Sequence, residues 1–177
     1  MTKNNHIILQ AAIVATLLTD SIASYAANNL CSPTEKVVFN CQLKQSKKFI
    51  SVCSSQTLTR DSGYIQYRFG TKNHLELNYP QTKANSQNHF FWADKRFYQS
   101  ILHELTFENR GYLYTLSQYD VSEVMNEISG GAQGGGVTVQ RKDDPRYTSL
   151  KCSTYPEGEF DLQGIVRDAE ELIEAKP

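Results

Sequence analysis

Apolar and polar residues alternate along several short stretches of the chain, and a period of two is typical of β-strands with one buried face. The alternation of Val37, Phe39, Cys41 and Leu43 with polar residues predicts a strand over residues 35–43. Similar runs separated by turn residues predict further strands at 49–54, 64–69, 74–79, 97–108, 112–118, 137–141 and 147–152. We therefore expect a mainly β domain, with the architecture of an antiparallel sandwich or a barrel-like fold.

The last part of the chain has a helical pattern instead. Asp161 is a suitable N-cap, and the apolar residues that follow it fit one face of an amphipathic helix over 161–175: Leu162, Ile165, Val166, Ala169, Leu172 and Ile173. This helix is expected to pack on the β domain and to cover an edge or an open end of it. Residues 119–129 fit both a strand and a helix, so the pattern does not decide between them.

The N-terminal segment has the pattern of a secretory signal peptide. An apolar run over 7–18 follows a short polar segment, and the small residues Ser24 and Ala26 stand where a signal peptidase cuts. This predicts removal of residues 1–26, which leaves a single domain over 27–177 in the periplasm or outside the cell. The alternative is a buried N-terminal helix. The residues before Cys31 do not fit a lipid-attachment site, so we expect no membrane anchor.

Four cysteines lie in the predicted mature chain: Cys31, Cys41, Cys53 and Cys152. An even number of cysteines behind a signal peptide predicts disulfide bonds. A zinc site is the competing interpretation, but the chain has no C-x-x-C pair. Three pairings are possible. We prefer Cys41–Cys53, because these residues lie on predicted strands joined by a short turn, and this leaves Cys31–Cys152.

The net charge of −1 gives no electrostatic reason to expect nucleic acid as a partner. The charge is nevertheless unevenly distributed. Residues 31–83 carry eight basic and three acidic side chains, whereas residues 157–176 carry seven acidic and two basic ones. The predicted helix therefore either docks on the basic sheet through complementary charge or presents an acidic face to a partner.

Few residues suggest catalysis or metal binding, and we predict no enzyme activity, no metal and no cofactor. The three histidines outside the predicted signal peptide have no metal-binding spacing. His74 and Glu76 share a face of a predicted strand and form a candidate acid–base pair, although surface decoration is the simpler interpretation. The glycine-rich run over 129–136 lacks the Lys-Ser/Thr of a phosphate-binding loop and is expected to form a flexible hairpin loop or bulges.

Aromatic residues are numerous, and those beside basic residues are candidates for a binding surface. Exposed aromatic side chains anchor protein partners or stack on sugar rings, whereas core packing is the alternative for most of them. The candidate surface consists of Tyr67, Arg68, Trp92, Lys95 and Arg96.

Several segments resemble an uncharacterised family of small exported proteins of proteobacteria with a four-cysteine β domain. They are EKVVFNC, FISVC, GYIQYRFG and LELNYP, followed later by a glycine-rich run, VTVQR and Cys152. The resemblance covers residues 31–80 and, more thinly, residues 130–152. It implies export and a cysteine framework, and it brings neither a catalytic motif nor an activity.

These observations favour a non-catalytic binding module of the periplasm or the extracellular space. An inhibitor of, or an immunity protein against, a cell-wall-degrading enzyme is the example that fits, with another envelope protein as the partner. One alternative is a structural or stress-related envelope protein without a discrete ligand. Another is a hydrolase that uses carboxylates such as Glu76 or Glu104.

Overall fold

The computed structural model describes residues 28–121 and 133–174, which form two β-sheets packed on a common core. The predicted signal peptide and most of the ambiguous segment 119–129 lie outside these residues. The predicted class is confirmed: the chain is mainly β and is arranged as an open sandwich with a short C-terminal helix.

The first sheet has four antiparallel strands in the order β1-β2-β3-β4. They are β1 (Lys36–Gln42), β2 (Phe49–Ser54), β3 (Ile65–Thr71) and β4 (His74–Tyr79). All six residues of β2 are buried, as expected for a central strand that is covered on both faces. The predicted strands in this region are confirmed to within two residues, because alternation and turn chemistry are both local signals.

The second sheet has six strands in the order β10-β5-β6-β7-β8-β9. They are β5 (Phe90–Phe97), β6 (Ser100–Asn109), β7 (Tyr112–Val121), β8 (Gly134–Arg141), β9 (Tyr147–Lys151) and β10 (Arg167–Asp168). The ladder between β5 and β6 ends where Phe97 pairs with Ser100, so only two residues form the turn.

The single strand predicted over 97–108 is therefore wrong. The chain reverses at Tyr98 and Gln99, and neither glycine nor proline marks this turn. In contrast, a glycine marks the turn between β6 and β7. Arg110 and Gly111 both have positive φ, at 51° and 80°, as the tight turns preferred in β-hairpins require.

The hydrophobic core lies between the inner faces of the two sheets and includes side chains from both. Phe107 is at its centre, where its ring stacks on those of Tyr79 and Tyr114 at centroid distances of 4.7 and 4.8 Å. Other fully buried members from the two sheets are Phe39, Ile50, Val52, Ile65, Phe90, Leu105 and Leu116.

The prediction of a helix over 161–175 is wrong in extent, because helix α1 is limited to Glu170–Glu174. The chain after β9 runs instead along the free edge of β1, where Asn40 and Glu157 exchange two backbone hydrogen bonds of 2.8 Å. It then contributes side chains to the core and forms β10, which pairs in parallel with β5 and precedes α1. Within the described ranges, no helix has the length and hydropathy needed to span a membrane.

The apolar residues of this C-terminal tail are buried in a loop. Phe160, Leu162 and Val166 all belong to the core. Within the predicted helix, Gly164 has a positive φ of 71°, which a right-handed helix does not accommodate. The edges of both sheets also need backbone partners, and the tail supplies them in its extended form.

The cysteine framework is confirmed, but the preferred pairing is wrong: the disulfides are Cys31–Cys53 and Cys41–Cys152. Cys53 pairs in the ladder with Val37, four positions away from Cys41. This places Cys41 and Cys53 roughly 10–13 Å apart along the strands, which is too far for a disulfide. The tail instead brings Cys152 to a Cα–Cα distance of 5.6 Å from Cys41.

Candidate functional site

The five residues of the predicted binding surface do not form one surface. Tyr67, Arg68 and Trp92 are buried, with relative exposures of 2%, 9% and 4%. The ring of Tyr67 packs against Phe107 in the core at a centroid distance of 4.9 Å, and burial raises the pKa of its hydroxyl. The prediction that these three residues form an exposed surface is wrong, because aromatic side chains near basic residues occur in cores as well as in interfaces.

Arg68 forms a buried salt bridge with Glu35, which leaves its charge unavailable to a ligand. Its two terminal nitrogens donate hydrogen bonds of 2.6 and 2.7 Å to the carboxylate of Glu35. The backbone N–H of Ser32 and the hydroxyl of Tyr64 donate two more, at 2.7 and 2.9 Å. Arg68 also donates to the backbone carbonyl of Leu30 at 2.9 Å. The network therefore attaches the N-terminal segment to β3.

The electrostatics of Glu35 follow from these contacts. Burial by itself would raise the pKa of this carboxyl group. The hydrogen bonds from Arg68, Ser32 and Tyr64, together with the charge of Arg68, outweigh burial and lower the pKa to about 2. Glu35 is therefore ionised throughout the physiological range, and its role is to stabilise the fold.

A row of polar residues crosses the six-stranded sheet near its β5–β6 turn. Asp94, His103 and Gln118 are direct partners in the ladders of β5, β6 and β7. Direct partners share a face of the sheet, and residues two positions apart share it as well. The row therefore lies on the same face as Trp92 and Leu105, which belong to the core.

The geometry of the row is defined by three contacts. The imidazole of His103 stacks on the indole of Trp92, with a centroid distance of 5.4 Å and an interplanar angle of 17°. Its Nδ1 lies 4.0 Å from Oδ1 of Asp94, a distance too long for a hydrogen bond. The other carboxylate oxygen of Asp94 accepts a hydrogen bond of 2.7 Å from Arg96. One oxygen of this carboxylate is thus paired with Arg96, and the other is buried without a hydrogen-bond partner.

The tail forms the wall of this site through Tyr155. The hydroxyl of Tyr155 accepts a hydrogen bond from Nε2 of Gln118 and donates one to Oδ1 of Asp120, both at 2.6 Å. Burial, reinforced by the hydrogen bond to Asp120 and by the charge of that residue, raises the pKa of Tyr155. These contacts orient the amide of Gln118, so that its oxygen is not used by Tyr155.

The described part of the glycine-rich run contributes to the same wall. Gly134, Gly135 and Gly136 lie in β8, so the expectation of a hairpin loop or bulges is wrong for these three residues, and the rest of the run lies outside the described ranges. A Cβ atom on Gly135 would lie 2.5 Å from the ring of Pro156 in the tail. The glycine is needed because two distant segments of the chain approach closely there.

Four buried polar atoms in this region have no hydrogen-bond partner: Nε1 of Trp92, Oδ1 of Asp94, Nδ1 of His103 and Oε1 of Gln118. Only six such side-chain atoms occur in the part of the chain that the structure describes, and four of them fall in this one cluster. Buried polar atoms are otherwise almost always paired. The cluster is therefore a candidate polar binding site. Its signal in the sequence was the presence of polar residues on an otherwise apolar strand face.

The β5–β6 turn forms a second feature of the same end of the sheet. Phe97 and Tyr98 at this turn are exposed to solvent, with relative exposures of 59% and 96%. An open cavity of about 430 Å³ lies beside the turn and is lined in part by Arg96, Ile101 and Asp120. Of the predicted surface residues, only Lys95 and Arg96 are exposed, and they flank these aromatic side chains.

The carboxylates considered for hydrolysis are far apart in the fold. Glu76 lies in the four-stranded sheet and pairs with Lys48 at 2.9 Å, whereas Glu104 lies in the six-stranded sheet and pairs with Lys95 at 2.5 Å. The two do not face each other across a common cleft. Among residues 28–121 and 133–174, no three histidine, cysteine, aspartate or glutamate side chains lie close enough together to hold a metal ion.

Comparison with known proteins adds no relative: no family model, curated protein or solved structure matches the chain. The resemblance of residues 31–80 to exported proteobacterial proteins stays a prediction. Function must therefore be argued from the chemistry of the site, since a sandwich fold serves many unrelated functions.

Proposed function

We propose that this protein is a non-catalytic binding module that contacts a protein partner through its β5–β6 turn. The observation that carries the proposal is the exposure of two adjacent aromatic side chains, Phe97 and Tyr98, at the end of a continuous eight-pair ladder. Large aromatic side chains contribute strongly to protein interfaces when a partner buries them.

The surroundings of the turn support a protein partner. Lys95 pairs with Glu104, and Arg96 pairs with Asp94, so charged pairs surround the exposed aromatic residues. An apolar centre with a polar rim is the usual composition of a protein interface. A narrow hairpin tip also fits a cleft, and we propose the substrate cleft of a cell-wall-degrading enzyme as its target. The protein would then act as an inhibitor or an immunity protein.

The proposed compartment is the periplasm or the extracellular space. Two disulfides support this location, because such bonds form and persist in oxidising compartments. Cleavage of the predicted signal peptide after Ala26 belongs to the same proposal. An intact mass of the exported protein that corresponds to a chain starting at Ala27 is the measurement that tests it.

The partner is tested by affinity capture from an envelope extract with three baits: the wild-type protein, Tyr98→Ala and Tyr147→Ala. Tyr147 is the matched control, since it is also exposed but lies on β9. We expect a stoichiometric partner with wild type and Tyr147→Ala that is lost with Tyr98→Ala. The captured enzyme should degrade peptidoglycan more slowly when the wild-type protein is added.

Two results would contradict this proposal. If Tyr98→Ala captured as much partner as wild type, the β5–β6 turn would not be part of the interface. The lack of any stoichiometric partner would favour the alternative, a structural or stress-related envelope protein.

A further inference from the structure

We propose that the polar row behind the β5–β6 turn is a binding site for a neutral, polyhydroxylated small molecule such as a saccharide. The site comprises Asp94, His103 and Gln118 together with the indole N–H of Trp92. This inference does not depend on the proposed protein partner, because it rests on buried atoms rather than on the exposed aromatic residues.

The unpaired atoms require a polar group that the described residues do not supply. Asp94 and His103 would satisfy each other if their 4.0 Å separation shortened by about 1 Å to hydrogen-bonding distance. Nε1 of Trp92 and Oε1 of Gln118 would still lack partners. A buried polar group that is left unpaired costs free energy, so a bound polar group would be stabilised there.

The chemistry of these atoms defines the ligand. The indole N–H of Trp92 only donates a hydrogen bond, whereas Oδ1 of Asp94 and Oε1 of Gln118 only accept one. A partner for all three must therefore both donate and accept. Hydroxyl groups do both, and several of them on one molecule match several adjacent protein atoms.

The charges around the row favour a neutral ligand. The carboxylate of Asp94 is already paired with Arg96, which reduces its attraction for a cation or an ammonium group. An anion would meet two carboxylates, those of Asp94 and Asp120, and the latter already accepts a hydrogen bond from Tyr155. Neither a cationic nor an anionic ligand would therefore find an unpaired opposite charge in the row.

The row is open to solvent at one end. The side chains of Asp94 and His103 are 17% and 19% exposed. The next row on the same face consists of Arg96, Ile101 and Asp120, and these residues line the open cavity of about 430 Å³. Small-molecule sites commonly have volumes of about 300–1,000 Å³, so this cavity has room for a sugar ring. The unpaired atoms of the row are buried next to it and would turn toward the cavity when a sugar binds.

The single tryptophan of the chain provides a direct test, because its indole N–H belongs to the proposed site. The indole signal of the ¹⁵N-labelled protein would be followed by NMR during titrations with glucose and with N-acetylglucosamine. Methylammonium chloride and sodium acetate, at matched ionic strength, are the charged probes. We expect a saturable shift with at least one of the sugars and none with either ion.

Two variants locate the effect. Gln118→Met keeps the volume but removes the acceptor, together with the donor to Tyr155. It should weaken sugar binding roughly three- to tenfold, because one hydrogen bond to the sugar is lost. Glu104→Gln, on the opposite face of the sheet, should leave binding unchanged. If Gln118→Met does not fold, the wild-type titrations still decide the question.

The proposal is overturned if no sugar produces a saturable shift at roughly 0.1 M, where a site of millimolar affinity would be filled. That result would mean that ordered water alone occupies the row. It is also overturned if acetate or methylammonium saturates the signal instead of a sugar, or if folded Gln118→Met binds as tightly as wild type.

Discussion

The buried carboxylate of Glu35 makes the stability of this protein depend on pH in a way that one substitution should reveal. Its side chain is 1% exposed and accepts hydrogen bonds from Arg68, Ser32 and Tyr64. Glu35→Gln preserves the size of the side chain but removes its charge and part of its acceptor capacity. The guanidinium of Arg68 then remains buried without its counter-ion.

The magnitude follows from the lowered pKa. The pKa of Glu35 falls from an ordinary value of 4.5 to about 2 in the folded protein, which corresponds to about 3 kcal/mol of stability at pH 7. Because the folded pKa lies below the unfolded one, this contribution is present above pH 4.5 and is lost as the pH falls toward 2. About 2 of these 3 kcal/mol should be gone by pH 3.

The assay is urea-induced unfolding at pH 7 and at pH 3, with both disulfides kept oxidised. Fluorescence of Trp92, the only tryptophan, reports the transition because its side chain is buried in the core. At pH 7 we expect Glu35→Gln to lower the free energy of unfolding by about 3–5 kcal/mol, since breaking a buried pair leaves an uncompensated charge. At pH 3 the difference from wild type should shrink by about 2 kcal/mol.

The control is Glu159→Gln, which removes an exposed carboxylate paired with Lys36. Exposed pairs contribute little, so this variant should stay within about 1 kcal/mol of wild type at both pH values. An effect of Glu35→Gln that is the same at pH 7 and pH 3, or that does not exceed the effect of the control, would contradict the stabilising role of this carboxylate.

The remaining predictions concern the tail. Replacing both Cys41 and Cys152 by alanine removes a disulfide whose cysteines are 111 residues apart in sequence. On the loop-entropy model this should lower the free energy of unfolding by about 5 kcal/mol. A loss below about 1 kcal/mol in urea unfolding would contradict the prediction. Leu162→Ala should cost about 2–5 kcal/mol by the same assay, because Leu162 is fully buried. The exposed control Glu170→Gln should stay within about 0.5 kcal/mol of wild type. Equal stability of Leu162→Ala and Glu170→Gln would contradict the burial of the tail in the core.

Local patterns in the sequence were sufficient for much of the secondary structure. The alternation over residues 74–79 corresponds to β4, and the apolar run over 49–54 corresponds to β2. The turn at Arg110 and Gly111 was also predictable, because a left-handed backbone favours glycine at its second position. These features depend on neighbours within a few residues, so they can be inferred without knowledge of the fold.

The conformation of the tail could not be predicted from local sequence patterns. Its apolar spacing matched a helix, and Leu162 and Val166 are indeed buried. The extended form is stabilised by backbone hydrogen bonds to β1 and β5, which belong to different sheets. Only the tertiary arrangement provides those two edges, and it also decides that Cys152 lies beside Cys41.

The candidate polar site depends even more strongly on tertiary structure. Asp94 lies beside His103 only because the unmarked turn at Tyr98 and Gln99 sets the register of β5 against β6. The turn at Arg110 and Gly111 then places Gln118 of β7 beside His103. A slip of one residue would turn every side chain of a strand to the opposite face. Local sequence patterns therefore predicted most of the strands, whereas the pairing of distant strands decided which polar atoms are buried together.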